Sequence, residues 1–423
     1  MGRLCYNIKQ GSDKMKQKKV IGIFILLLLL VGLVTFVLFR EKDSFNKGHL
    51  TNLQAARTLE KIEINQLNTF ANELYQELEG EENLFFSPLS IYMALGMTYN
   101  GAAEITKEEF ENVFGKDVDL NDLNRELQYL VRGYEDIEFK LSNSLWIRDT
   151  YQKEVLESFL TKNKEYYGAK VSYLDFNKAS AVDIINEWVA KTTEGLIEEA
   201  VEEIDPLTVM FLINTIYFQG DWLKQFEKED TYETDFFITG DKVVDVDMMH
   251  QINNFDYYED EDVQFVLLPY EGSETAMFVA LPQNESSFDY NKLDKYIAKA
   301  KNNNTSVSLH LPKTEIGFRS SLKGALQSLG LKSAFDESLA DFSNMAVSAK
   351  QDGLHIHDVI HEAVLIIDEE GTEAAAMTSV EMRVESVPQF DKKMKINRPF
   401  HVGIIDLDSS VILFSGHVNN PNE

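Results

Sequence analysis

Residues 367–386 read IDEEGTEAAAMTSVEMRVES, and the interpretation of the whole chain starts from this stretch. If the stretch is extended, its side chains alternate between two faces, because successive residues of a strand point to opposite sides. One face then carries six uncharged side chains, which are Thr372, Ala374, Ala376, Thr378, Val380 and Met382. The other face carries Glu373, Ala375, Met377, Ser379 and Glu381.

Small side chains are poor material for a strand that is fixed in place from the start, since alanine has a low strand propensity and packs little surface. They suit a segment that slides between two existing strands, where bulk would clash and a charge would be buried without a partner. Gly371 precedes them and, having no Cβ, can serve as a pivot. The stretch therefore predicts an extended segment that changes its position.

Two other stretches predict fixed elements of a core. Residues 84–86 form a short apolar strand that Ser87-Pro88 ends, and Ser87 is placed to cap a helix that begins at Pro88. Residues 209–218 are too apolar for a half-exposed strand and are typical of the centre of a large sheet. Asn214 interrupts this run, and a buried amide must find hydrogen-bond partners.

The composition limits the class of protein. The chain has 423 residues, of which 44% are hydrophobic, so it can bury a large core as one large domain or as two to three smaller ones. Residues 1–39 carry a net charge of +5, and the formal charge of −30 therefore leaves −35 on the remainder. An acidic surface repels phosphate and sulfate groups, so neither nucleic acid nor heparin is an expected partner. Cys5 is the only cysteine, so no internal disulfide can form.

The N-terminal residues predict a membrane anchor. Residues 1–19 form a basic leader, and residues 20–39 form an uninterrupted apolar run that is long enough, at about 20 residues, to cross a bilayer. The basic leader predicts a cytoplasmic N-terminus, a polar tether at residues 40–59 and an extracellular domain at 60–423. A cleaved signal peptide and a secreted domain are the alternative, but residues 36–40 lack the small residues of a cleavage site. The start at Met1 or at Met15 stays open.

Residues 369–378, EEGTEAAAMT, resemble the reactive-loop hinge of an inhibitory serpin. Further stretches in the same order are similar to serpin motifs, and the resemblance extends over roughly residues 60–421. It implies an α+β serpin fold with a large mixed or antiparallel central sheet, further sheets, surrounding helices and an exposed reactive loop at about 369–390. The stretches that carry the resemblance are 83–91, 214–222, 267–272, 281–282, 311–313, 340–343, 397–400 and 412–418.

The resemblance implies a protease inhibitor that acts as a suicide substrate. Serine proteases are its implied targets, with cysteine proteases as a second class, and the protein is expected to be a monomer without a cofactor. A serpin-like chaperone or carrier that does not inhibit is the alternative. Residues of the hinge are Glu369, Gly371, Thr372, Glu373, Ala374, Ala375, Ala376 and Thr378, and residues implied to gate the central sheet are Ser87, Ser90, Asn214, Trp222 and His361.

The reactive bond is predicted from the common family spacing, in which the residue before the cut is the seventeenth when Glu369 counts as the first. This count gives Glu385-Ser386, which suits a glutamate-specific protease. The segment before Pro399 is slightly longer than usual, so Arg383-Val384 and Val384-Glu385 stay open as alternatives for trypsin-like and elastase-like enzymes.

Rival chemistry has little support in the sequence. His355 and His357 would share one face of a strand and could hold zinc, but no other segment supplies a clear ligand set. Ordinary surface or hydrogen-bonded histidines are therefore the preferred interpretation, and no metal site is predicted. Gly-x-Ser-x-Gly and His-Glu-x-x-His motifs are both absent from the sequence, so an enzyme is not predicted.

Overall fold

A computed structural model of the chain describes residues 61–80, 82–132, 137–238, 242–283, 288–372 and 389–423. The predicted leader, apolar run and tether lie outside these ranges, as do residues 373–388 of the predicted reactive loop. Contacts divide the chain into Met1–Ala55 and Ala56–Glu423, and every described residue belongs to the second unit.

Eight α-helices occur in the described ranges. In chain order they are α1 (Lys61–Leu78), α2 (Pro88–Tyr99), α3 (Glu104–Phe114), α4 (Leu120–Arg132), α5 (Glu157–Tyr167), α6 (Ser180–Thr192), α7 (Leu293–Lys301) and α8 (Lys323–Leu329). Fifteen strands accompany them in the same part of the chain. They are β1 (Leu84–Phe86), β2 (Glu138–Arg148), β3 (Lys170–Leu174), β4 (Met210–Asp221), β5 (Tyr232–Ile238), β6 (Lys242–Glu259), β7 (Val263–Pro269), β8 (Thr275–Pro282), β9 (Asn304–Pro312), β10 (Thr314–Ser321), β11 (Ile360–Ile367), β12 (Gly371–Thr372), β13 (Lys392–Lys395), β14 (Phe400–Asp406) and β15 (Ile412–Val418).

Six of the strands form a mixed sheet in the order β10-β11-β12-β4-β2-β3. All neighbouring pairs are antiparallel except β2 and β3, which are parallel. The predicted central strand at residues 209–218 is confirmed as β4, which lies in the interior of this sheet. The other strands form a nine-stranded sheet in the order β1-β15-β14-β8-β7-β6-β9-β13, with β5 paired to β6.

Helix α2 lies in the core and packs against β4 of one sheet and β15 of the other. Every residue from Pro88 to Thr98 except Ala94 is buried, which is typical of a helix that is apolar on all sides. Its predicted start is confirmed, because Pro88 is the first helical residue and the Ser87 hydroxyl accepts a hydrogen bond from the Ser90 amide at 3.1 Å. The helix therefore fixes the position of both sheets.

A second, smaller apolar cluster lies between α6 and the six-stranded sheet. Trp146 of β2 is 1% exposed, and its ring meets that of Trp188 edge to face with centroids 5.9 Å apart. Ile185 and Phe211 belong to the same cluster. Because residues of β4 alternate between this cluster and the main core, both faces of β4 are packed.

Within the described ranges, no helix is both long and apolar enough to cross a membrane. The predicted anchor at residues 20–39 lies outside these ranges, so the statement does not apply to it.

Candidate functional site

A tight turn follows β11 and reverses the chain. The Asp368 carboxylate accepts hydrogen bonds from the Glu370 amide at 2.9 Å and from the Gly371 amide at 3.0 Å. The Asp368 amide donates to the Gly371 carbonyl at 3.0 Å. An aspartate that bonds to the backbone two and three residues later stabilises such a turn. The turn places β12 between β11 and β4, where Thr372 lies opposite Gly220 and Ile367.

Gly371 is required here for a steric reason. A Cβ atom at this position would lie 2.2 Å from the Gly220 carbonyl oxygen, which belongs to the backbone and has no flexible end to move aside. Gly371 is not among the described glycines with a positive φ angle. Gly371 is predicted from the sequence to be a pivot because it has no Cβ. In the structure, the missing Cβ also allows two backbones to approach closely.

Two glutamates of the turn are buried and paired. Glu369 is 4% exposed, and its carboxylate contacts the Lys313 ammonium at 2.9 Å and the Thr231 hydroxyl at 2.8 Å. Burial alone would raise the pKa of Glu369, but the hydrogen bonds from Lys313 and Thr231, together with the Lys313 charge, lower it below its usual value. Glu370 contacts Lys228 at 2.6 Å. These pairs hold the turn against Lys313, which lies between β9 and β10, and against the segment after β4.

Trp222 belongs to this turn. Its amide donates to the Glu370 carbonyl at 2.9 Å and its indole Nε1 donates to the Asp368 carbonyl at 3.0 Å. Its ring stacks on Tyr270 with centroids 4.8 Å apart, and the Tyr270 hydroxyl lies 2.7 Å from the Thr372 hydroxyl. Thr372 is 5% exposed. The predicted gating group is therefore divided, because Trp222 lies with the hinge and apart from the other members.

The remaining four predicted gating residues form a polar patch with one residue that the sequence analysis missed. The Ser87 amide donates to His361 Nε2 at 3.1 Å, and the Ser90 hydroxyl donates to the Asn214 side-chain oxygen. The Asn214 amide donates to Asn143 Oδ1 at 2.6 Å. The patch thus connects β11, α2, β4 and β2. Asn143 carries the same sequence signal as Asn214, an amide within a strand of the core, and it is the more deeply buried of the two.

His361 is uncharged at neutral pH. Complete burial lowers the pKa of its imidazole to about 4. Because Nε2 accepts the hydrogen bond from the Ser87 amide, the ring proton lies on Nδ1. The other two histidines of the sequence cluster, His355 and His357, lie before β11 and outside any strand, and His355 Nδ1 is 2.8 Å from the Gly353 carbonyl.

β4 and β11 are separated over most of their length. In the described part of the chain, the only strand between them is the two-residue β12, and no backbone ladder joins them directly. A cavity that is open to solvent has Thr372 in its lining. Residues of both strands line it, including Ile216 and Phe218 of β4 and Ala363 and Val364 of β11. We call this open boundary between β4 and β11 the seam.

The predicted reactive bonds lie outside the described residues, since Arg383, Val384, Glu385 and Ser386 fall within 373–388. The hinge residues Glu373, Ala374, Ala375, Ala376 and Thr378 fall within the same range.

Both ends of the segment 373–388 are anchored near one another. Lys224, close to the hinge turn, donates to the Asn254 carbonyl at 2.7 Å, and Asn254 lies opposite Ser306. The Ser306 hydroxyl donates to the Gln389 carbonyl at 3.5 Å. The 16-residue segment therefore starts and finishes at the same end of the molecule.

Comparisons with known proteins agree with one another. A family model described as "Serpin (serine protease inhibitor)" matches residues 65–421. An uncharacterized serpin-like protein of Thermococcus kodakarensis is 33% identical, over 86% of this chain and 87% of its own. Tengpin, a thermophilic serpin solved in its native state, is similar with a TM-score of 0.78 at 30% identity, covering 86% of this chain and 95% of its own. Human thyroxine-binding globulin has a TM-score of 0.73 at 29% identity, covering 85% and 99%.

Acidification should weaken the native state through His361. Its pKa of about 4 in the native state lies below the value of about 6.5 in an unfolded chain. The native state therefore loses stability as the pH falls from about 6.5 towards 4, by about 1–3 kcal/mol for this group. We expect thermal unfolding of His361→Gln to depend less on pH in this range than that of the wild type. The exposed His357→Gln serves as control, and a variant with the full wild-type dependence would contradict the assignment.

The buried Glu369–Lys313 pair should contribute more stability than a surface pair. Lys313→Met leaves the Glu369 carboxylate buried with fewer partners, and since Lys313 is 39% exposed we expect a loss of about 1–2 kcal/mol. Lys178→Met removes the exposed pair with Asp175 and should change the unfolding temperature little. Calorimetry of both variants measures the difference. Equal unfolding temperatures for the two variants would show that the hinge pair contributes nothing.

Proposed function

Because the chain belongs to the serpin family, we propose that it inhibits serine proteases as a suicide substrate, by inserting its cleaved hinge into the seam. One observation carries the proposal. Gly371 and Thr372 already occupy the first two positions of a strand between β4 and β11, while the seam below them has no strand in the described part of the chain. The segment that would continue this strand is residues 373–382, which carry only uncharged side chains on the face shared with Thr372.

The register of β12 determines where an inserted hinge would lie. Since Thr372 is opposite Gly220 in an antiparallel pair, continuation places Ala374 opposite Phe218 and Ala376 opposite Ile216. Phe218 and Ile216 face the main core, and opposed residues share a face, so both alanines would enter the cavity. Small side chains fit this narrow space without displacing the core.

The same register places Thr378 at the polar patch. It would lie opposite Asn214 on β4 and, counting from the Thr372 and Ile367 pair, opposite His361 on β11. A hydroxyl at this position finds hydrogen-bond partners, whereas an alkyl group would leave the patch without them. The alternation of alanine and threonine in the hinge thus matches the alternation of apolar and polar groups along the seam.

Insertion should release free energy. A new strand would give β4 a partner from Gln219 to Met210, and each added hydrogen bond contributes about 1 kcal/mol net. The unpaired strand edges in the seam make the native state metastable, so its persistence depends on a kinetic barrier. The Ser87, Asn214 and His361 patch lies across the seam and contributes to that barrier.

The intact chain is too short to insert while β13 stays paired. Residues 373–382 would carry the chain about 33 Å along the seam, at about 3.3 Å per residue. Residues 383–388 could then span only about 20 Å back to Gln389, which is held at Ser306. Cleavage of the loop removes this restraint. A protease that is still joined to the loop as an acyl-enzyme would be moved with it before water releases it.

The target class and the location belong to the same proposal. Glu385-Ser386 is the proposed reactive bond by register, with Arg383-Val384 and Val384-Glu385 as alternatives. We propose that residues 20–39 hold the inhibitor on the outer face of the cell membrane, as a monomer. A carrier that does not inhibit is the second candidate, favoured by the likeness to thyroxine-binding globulin.

A charge in the hinge should convert the inhibitor into a substrate. Thr372 is buried beside Tyr270, so Thr372→Arg would bring a charge into the seam at a free-energy cost of several kcal/mol. We expect the variant to be cleaved without forming an SDS-stable complex, with a strongly raised stoichiometry of inhibition. Glu373→Arg, on the opposite face, is the matched control and should still inhibit. A Thr372→Arg variant that traps protease as the wild type does would rule out insertion.

Cleavage of the loop should stabilise the protein. About ten new backbone hydrogen bonds predict a rise in unfolding temperature of about 10–20 °C, with both fragments still associated. Calorimetry before and after nicking by trypsin-like, elastase-like and glutamate-specific proteases measures the rise. The mass of the C-terminal fragment in the same samples locates the cut, which we expect before Ser386. An unchanged or lower unfolding temperature would favour the carrier.

A further inference from the structure

The sheet face beside the C-terminal end of the loop segment has a composition that the inhibitory mechanism does not explain. The Asp391 amide donates to the Ser306 carbonyl at 2.9 Å, so the chain that leaves the loop is held along β9. Ser306, Ser308 and His310 alternate along β9 and therefore share one face of the nine-stranded sheet. This face begins where the loop segment ends.

Two lysines project from the same face. β13 runs parallel to β9, with Lys393 beside Ser308 and Lys395 beside His310. Met394, between them, points the other way and is fully buried. Neither Lys393 nor Lys395 forms an ion pair with a described residue, whereas Lys392 is paired with Glu259. Lys393 and Lys395 therefore bring two positive charges onto one sheet face in a chain with 70 acidic and 40 basic residues.

The histidines on this face add no charge at neutral pH. His250 lies opposite His310, their rings stack with centroids 4.3 Å apart, and the Ser308 hydroxyl is 3.1 and 3.2 Å from the two Nε2 atoms. Burial, then the neighbouring His250 and the two lysines, lowers the pKa of His310 to about 4. Burial also lowers the pKa of His250, with Asp230 opposing. The lysines therefore supply the positive charge of the face at pH 7.

The position of this face indicates its partner. A protease that engages the loop must approach the end of the molecule where Thr372 and Gln389 are anchored, so its surface would extend over β9 and β13. A long polyanion fits poorly, because a patch of two lysines is short and the rest of the acidic chain repels it.

We propose that Lys393, Lys395 and Ser306 form a docking surface for carboxylates on the rim of the target protease's active site. This inference rests on the proposed function and adds to it a partner with an acidic rim. Complementary charge at an interface raises the association rate more than the final affinity. The lysines would therefore orient the protease before the loop enters its active site, and their effect would weaken at high salt.

The test measures association separately from inhibition. Three forms of the full-length chain are compared, namely the wild type, Lys393→Glu/Lys395→Glu, and the control Lys162→Glu/Lys164→Glu on α5. The two double variants change the net charge by the same amount. Each of the three forms is bound to trypsin-like, elastase-like and glutamate-specific proteases whose nucleophilic serine is replaced by alanine, and surface plasmon resonance gives the association rate constant. We expect the β13 variant to associate about tenfold more slowly at 50 mM NaCl and less than about twofold more slowly at 300 mM. The α5 control should change by less than about twofold at both.

Several outcomes separate this inference from the proposed function. If both double variants slow association equally, the effect is one of net charge and the docking surface is disproved. If a sulfated glycan accelerates inhibition by the wild type and not by the β13 variant, the face serves a polyanion and the inference is wrong. If the wild type traps no active protease but binds the inactive form through the lysines, the docking surface stands and suicide inhibition fails. Lys393→Gln/Lys395→Gln, with an unchanged unfolding temperature, excludes a folding defect.

Discussion

The unjoined edge between β4 and β11 is the constraint on which the rest of the structure depends. β4 is paired with β2 and β11 with β10, so each presents its other backbone edge to the seam, where the described chain supplies only Gly371 and Thr372. An unpaired edge inside a sheet holds free energy that a new strand would release. In the proposed mechanism, the hinge turn would hold that strand at its starting point, and the polar patch would lie across its path.

The hinge turn and the polar patch are held by different kinds of interaction. The turn is fixed by charged groups, with Glu369 and Glu370 paired to Lys313 and Lys228, and by the stacked Trp222. The patch consists of neutral hydrogen bonds, since burial keeps His361 uncharged. In the proposed mechanism, neutral bonds of about 1 kcal/mol each would be replaced one by one as a strand enters, whereas a buried charge left without its partner would cost far more.

Local chemistry in the sequence predicted several of these features. The Ser87 cap, the start of α2 and the central position of β4 follow from propensity and periodicity, and the structure confirms them. The separation of Trp222 from the patch and the pairing of Glu369 with Lys313 depend on contacts between residues far apart in the chain. The steric restriction at Gly371 could not be predicted for a similar reason, because it comes from the Gly220 backbone and not from its own dihedrals. Asn143 could have been predicted from the sequence, because it is an amide within an apolar strand like Asn214.

The seam itself can be tested most directly by hydrogen exchange. Alternate amides of β4, between Met210 and Gln219, point to β2, with which the strand is paired, or to the seam. If the cleaved hinge inserts between β4 and β11, nicking the loop should slow hydrogen exchange of the seam-facing amides of both strands by orders of magnitude. The amides of β4 that face β2 should change little. Unchanged exchange at the seam after nicking, with both fragments still associated, would contradict insertion of the hinge.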